Sequence, residues 1–307
     1  MSCVVGLLAA LWTPAAPPVR LTLESPLRVE RPSSTQSHSL AARPFDFSLL
    51  YTLTRDRFDY YFENPSSFDT PFLIPHHFTQ RYDGDAQWLA LRLRYPGLGA
   101  RWETEIGLAP ARVTRGDDFD TFLQPDGDVV RSGTTGNVSM RSLRLAQLIG
   151  LKPQAGLSWQ AGYRVRRDRS DFHEGHKSIS HAKPPALERS LVTTRETTIS
   201  EVHEIWFRGE RRLAFGPTWA VTGSIGISPA TIARLTTRLP DKYPGREIVF
   251  TATGFAVGGQ LGLSRTIRRV EIEAAIDYGR AWSYRPSMQF HRTMLGATVG
   301  LGLAPGR

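Results

Sequence analysis

Residues 248–282, IVFTATGFAVGGQLGLSRTIRRVEIEAAIDYGRAW, alternate with a period of two on both sides of a tight basic turn. In the first arm Phe255, Val257, Leu261 and Leu263 share one parity, and Gly254, Ala256, Gly258, Gln260 and Gly262 the other. In the second arm Val270, Ile272, Ala274, Ile276 and Tyr278 alternate with Glu271, Glu273, Ala275, Asp277 and Gly279. Period-two alternation is the mark of a β-strand with two different environments on its two faces. A soluble β-sandwich hairpin would satisfy one such pair of strands, and so would a membrane-spanning barrel with lipid outside and a polar lumen inside.

The same rhythm recurs along the chain. Predicted strands lie at about 43–56, 78–95, 100–113, 137–149, 156–167, 196–208 and 218–230, then in the two arms of the hairpin, and at about 290–303. The apolar parity is clear in Phe45, Phe47, Leu49, Tyr51 and Leu53, and again in Leu295, Ala297, Val299, Leu301 and Leu303. The connections after strands one, three, five and seven (59–77, 114–135, 168–195 and 231–246) are long and polar, whereas those after two, four, six and eight are short. A sandwich has no reason to alternate loop lengths in this way. The pattern predicts an all-β fold: a ten-stranded antiparallel up-and-down transmembrane β-barrel with long extracellular loops and short periplasmic turns, in a bacterial outer membrane.

The second parity carries both signs: Arg92, Arg94, Arg101, Glu103, Glu105, Arg144, Arg164, Arg166, Glu271, Glu273 and Asp277. Ten strands enclose a narrow lumen. Charges confined there must pair, so an ion-pair network is expected to fill it. A solute pore is the functional alternative.

Composition adds boundaries. Mean hydropathy is −0.28, and no apolar run approaches the ~18–20 residues of a transmembrane helix. The single cysteine, Cys3, excludes an intrachain disulfide. The net charge of +9 points to an anionic partner, with lipopolysaccharide phosphate one candidate. No nucleic-acid module is recognisable, so nucleic acid is not expected as a partner. Cys3–Trp12 followed by Pro14, Ala15 and Ala16 resembles a secretory signal peptide, placed at 1–18. Residues 19–42 read as a flexible leader, 43–303 as the barrel and 304–307 as a tail.

The element order and some local text resemble the omptins, ten-stranded outer-membrane proteases. TQRYDGDAQW at 79–88 is similar to their second strand, AGYRVRR at 161–167 to their fifth, and YPGREIVF at 243–250 to the start of their eighth. The hairpin at 254–282 is similar to their strands eight and nine.

The resemblance implies two acidic pairs that activate a water across an extracellular groove, one of them an Asp-x-His in which the histidine is the base. Asp118-Phe119-Asp120 has the spacing of the first pair, with Asp117 beside it; a solvated loop entrance is the other reading of these acids. The second pair would fall at Leu239 and Asp241, and no histidine occurs between His203 and His291. An Asp-x-His does occur on the third long loop, as Asp171-Phe172-His173. The leading expectation is therefore a binding or structural barrel with a lost or rearranged base; an endopeptidase cleaving at basic sites, or a narrow transport or adhesion barrel, are the alternatives.

His173, Glu174 and His176 are too crowded for a tetrahedral metal site, so no metal is expected. No cofactor is expected beyond lipopolysaccharide as a required lipid, and a peptide or protein is the candidate substrate. The family's lipid site implies a lipopolysaccharide-binding role for Tyr163 and Arg167, with Val165 standing where the family has Glu. A belt tyrosine and a snorkelling arginine explain the same two residues.

Overall fold

The computed structural model describes residues 45–63, 77–97, 100–123, 127–150, 157–181, 188–191, 195–238, 240, 245, 247–285 and 287–303. The signal peptide and leader assigned to 1–42 and the tail at 304–307 lie outside the described residues, as do Leu239 and Asp241. The strands are β1 (Asp46–Glu63), β2 (His77–Gly97), β3 (Ala100–Leu123), β4 (Val129–Gly150), β5 (Leu157–His181), β6 (Glu188–Leu191), β7 (Glu196–Phe215), β8 (Trp219–Arg238), β9 (Glu247–Ile267), β10 (Val270–Ser283) and β11 (Met288–Leu303).

Neighbours in sequence pair antiparallel from β1 to β5, β5 pairs with β7, and β11 pairs with β1. The sheet thus closes on itself through ten strands, with the short β6 added beside β5. Closure removes the edges that an open sheet would leave. The described residues contain no helix.

The strands are longer than the apolar alternation suggests. β3 and β4 run to Leu123 and from Val129, taking up most of the polar stretch at 114–135. β5 runs to His181 through half of the stretch at 168–195. The outward parity explains the difference. Below, it is an exposed apolar band, as in Leu49, Tyr51 and Leu53 on β1 or Ile106 and Leu108 on β3. Above, it turns to Arg55 and Arg57 on β1, Asp83 and Asp85 on β2, and Arg169 and Asp171 on β5. The backbone ladder continues, but hydrophobicity no longer marks it. Hereafter "lower" is the end of Asp46 and Leu303, and "upper" the end of the long hairpins.

Two prolines inside strands sit where the ladder already breaks. Pro110 lies in the register shift between Ala109 and Arg112, and Pro229 in that between Ser228 and Thr231. Proline has no N–H to donate, so a bulge is where a strand tolerates it.

The lumen is filled in layers. Lowest are ion pairs: Arg94–Glu103 at 2.8 Å, Arg92–Glu105 at 3.1 Å, Arg208–Glu103 at 3.1 Å and Arg212–Glu271 at 2.6 Å. The ion-pair network expected from the sequence is present: Glu273 lies 3.8 Å from Arg92, whereas Asp277 accepts from the Thr298 hydroxyl at 2.6 Å. Highest is an apolar core of Phe58, Tyr60, Phe78, Tyr82, Val138, Phe172, Leu235 and Phe290. There Phe58 stacks on Tyr82 at 4.6 Å between ring centroids, and Tyr60 meets Phe290 at 5.1 Å.

Candidate functional site

Asp118 and Asp120 belong to the upper part of β3, not to a loop. Their parity is that of Thr114 and Gly116, so both point into the barrel, where they are 1% and 3% exposed. Asp118 stands opposite Gln80 on β2 and Thr134 on β4, and Asp120 opposite Phe78 on β2. Around them runs a polar belt inside the upper wall. The Gln80 amide donates to Glu196 and, at 3.3 Å, to Thr198. Tyr82 donates to the Gln80 carbonyl at 3.3 Å, and Ser170 donates to Tyr82 at 3.1 Å. Thr198 meets Thr237 at 3.0 Å. The acids predicted to line an open groove are therefore enclosed with the aromatic layer. The bland alternative, a solvated loop entrance, fails for the same reason.

The structure does not bring Asp171 to them. Phe172 fills the interior, so strand alternation turns Asp171 outward. There Asp171 lies 3.3 Å from Arg169 and accepts from the Thr197 hydroxyl at 2.7 Å. His173 is the residue at which β5 loses register with β4, since Phe172 pairs with Val138 and Glu174 with Asn137. Of the histidines whose side chains are described, His77, His203 and His291 all take the outward parity. Among the described residues no group of three or more His, Cys, Asp or Glu side chains is placed to hold a metal ion.

Tyr163 and Arg167 do share the outer face of β5. Tyr163 is 42% exposed and hydrogen-bonds His203 of β7. Arg167 lies 3.5 Å from Glu201, its cross-strand partner on β7. Val165 therefore does not leave this patch without an acid: the neighbouring strand supplies one. The pair stands where the outward parity passes from apolar to charged.

The strongest electrostatic feature was not singled out from the sequence. Arg292 on β11 holds Asp56 through Nε at 3.0 Å and Nη2 at 2.6 Å, and Asp168 through Nη1 at 3.0 Å. Arg166 bridges the same two carboxylates, and Ser142 donates to Asp168. Asp56 and Asp168 each extend an inward parity that was legible, Thr52-Thr54-Asp56 and Arg164-Arg166-Asp168, but they sit at or just past the predicted strand ends. Their carboxylates are fully engaged by guanidinium groups. Such a cluster fixes geometry and supplies no free base.

Among solved structures, the chain is similar to the outer membrane protease OmpT from Escherichia coli, with 9% identity and a TM-score of 0.62 over 88% of this chain and 100% of that one. It is also matched to the beta domain of the Bordetella autotransporter BrkA, at 12% identity and a TM-score of 0.36 over 84% and 99% of the two chains. A third match is the translocator domain of the autotransporter NalP from Neisseria meningitidis, at 9% identity and a TM-score of 0.34 over 84% and 88%. Scores as low as the last two carry no argument about this chain. No protein-family model matches the sequence, and no curated protein matches it. The likeness to OmpT is one of fold, a closed barrel of the outer-membrane type, and transfers no residue's role.

Proposed function

We propose that this chain is an outer-membrane β-barrel of a Gram-negative bacterium, omptin-like in shape, that serves as a surface-exposed binding or structural barrel and not as a protease. One observation carries the reading. Asp118 and Asp120 are buried inside the wall at the height of the aromatic layer, opposite Gln80 and Phe78, while every described histidine side chain takes the outward parity. Hydrolysis by an acid pair needs a base and a water within hydrogen-bond reach of a substrate's carbonyl, and a peptide cannot reach acids buried among packed side chains. The exposed apolar outer band supports the membrane location. The patch of Tyr163 and Arg167, half-exposed at the upper rim of that band, supports contact with lipopolysaccharide phosphate.

The test is direct. Full-length protein, refolded with lipopolysaccharide, is incubated with a dibasic fluorogenic peptide. The expected outcome is no cleavage above the protein-free background. Cleavage that disappears in Asp118→Ala and Asp120→Ala establishes the protease reading instead, and loss in His173→Ala would identify its base.

A further inference from the structure

Between the lower ion pairs and the upper aromatic layer lies a cavity of about 220 Å³. A single water needs only ~10–15 Å³ measured this way, so the space is large enough for a small solute. Its two sides differ in kind. The β8–β10 side is built from small residues, among them Ser224, Gly226, Ala256, Gly258 and Gly279. The β4–β5 side presents Arg144 and Arg164.

Both arginines rest on indole shelves. The Arg164 guanidinium lies 4.1 Å from the Trp206 ring centroid, and that of Arg144 lies 5.0 Å from Trp88. The Trp206 shelf is itself seated on glycine. A Cβ at Gly226 would come within 2.3 Å of Trp206, and one at Gly258 within 3.2 Å. Gly107, opposite Arg144 in register, does the same for that arginine: a Cβ there would lie 2.6 Å from Arg144 Nε. Stacking occupies the face of a guanidinium and leaves its in-plane N–H groups free to donate. Arg144 spends Nη2 on Glu105 at 3.0 Å, and its buried Nε has no acceptor among the described residues. Among the described residues Arg164 has a single acid partner, Glu204, at 3.4 Å. Asp277, the one acid lining the cavity with no cation within salt-bridge distance among the described residues, is engaged by the Thr298 hydroxyl.

A smaller cavity of about 30 Å³ among Ser48, Arg94, Arg212 and Gly262 adjoins this space at Arg92 and Gln260. Above, the aromatic core closes it.

We infer that the lumen is a blind cup, open at the lower end, that binds a small oxyanion (a carboxylate or a phosphate) between the guanidinium groups of Arg144 and Arg164. Stacked, glycine-seated arginines are pre-organised for such a group, because little side-chain freedom is lost on binding. That the cup opens to the periplasm rests on the outer-membrane reading proposed above; the site itself does not.

The full chain, refolded in detergent micelles and checked for heat-modifiable gel migration, is titrated calorimetrically with inorganic phosphate and, separately, with succinate at constant ionic strength. Saturable binding at one site per barrel is expected for at least one of them. Arg144→Met and Arg164→Met together should weaken it by more than about tenfold, the loss of roughly one charge-assisted contact. Gly107→Ala should weaken it without removing a charge. Arg141→Met, on the outer face, should leave it unchanged. Should the methionine variants not fold, Arg144→Lys and Arg164→Lys keep the charges, and weaker binding is expected because ammonium neither forks nor stacks as guanidinium does. Absence of saturable binding means that the cavity holds only water and overturns the inference, as does binding that survives in the folded arginine variants or disappears in Arg141→Met. Peptide cleavage is read separately, so failure of this site and failure of the non-protease reading are distinguishable.

Discussion

Arg292 shows what single residues do inside this wall. One guanidinium holds two carboxylates that come from β1 and β5, and its carbon also lies 5.1 Å from the Phe58 ring centroid. Replacing it removes one partner from a buried group and leaves Asp56 and Asp168 sharing the Arg166 guanidinium, with the Ser142 hydroxyl on Asp168. Arg292→Met is expected to lower stability by about 3–5 kcal/mol, measured as the shift of the urea unfolding midpoint followed by tryptophan fluorescence. A loss below about 1 kcal/mol would mean that the cluster is hydrated and behaves as a surface pair. Trp88 plays a comparable part among neutral side chains. Its indole N–H donates to Thr54 at 3.2 Å, while Arg144 and Arg166, directly opposite each other on β4 and β5, both lie over its ring. Like charges opposite each other on a sheet repel. The shared indole and the acids on either side offset that repulsion.

At the scale of elements, the hairpin of β9 and β10 is the clearest case of local text becoming local structure. Its arms pair in register from Val270–Ile267 to Ser283–Gly254, and the two-residue turn is Arg268-Arg269. Arg268 has φ of 57°, the only positive φ on a non-glycine residue among those described. That conformation costs an L-residue about 1–2 kcal/mol, which glycine avoids at the expense of some unfolded-state entropy. Arg268→Gly is therefore expected to raise the urea midpoint by the equivalent of about 0.5–1 kcal/mol. A lower midpoint would show that the arginine side chain itself holds the turn. The long hairpin of β3 and β4 was less legible. Its upper half carries Arg115, Asp117 and Phe119 outward, with no apolar stripe, so it reads as a polar loop although its ladder continues from Arg112–Met140 to Leu123–Val129. That misreading put Asp118 and Asp120 in solvent, whereas strand alternation encloses them.

The whole molecule is a closed wall around an interior packed with aromatic side chains above and ion pairs below, with a cavity between them. Aromatic packing closes the upper end, so the described residues line no continuous passage. Reconstituted into planar bilayers, the protein is expected to give no stable single-channel current; steady conductance steps would show that the upper layer moves aside and would revive the transport alternative. How much of this was legible follows from what a period of two records. Alternation reports which of two environments each side chain meets, so the strand number, closure into a barrel, the apolar outer band and the mixed-charge lumen could all be read from residues such as Leu49, Leu91, Arg92 and Glu103. It does not report height within the wall or which strand faces which across the lumen. Those depend on strand register and on closure of the tenth strand onto the first, which brings Arg292 to Asp56 across 236 residues of chain. Tertiary structure alone therefore decided the ion-pair partners, the burial of Asp118 and Asp120, the outward turn of Asp171 and the glycine-seated arginines of the cavity. The outward turn of Asp171 and the burial of Asp118 and Asp120 follow from strands that continue where the apolar stripe has ended, and the ion-pair partners and the cavity from which strands face one another, neither of which local hydrophobic pattern records.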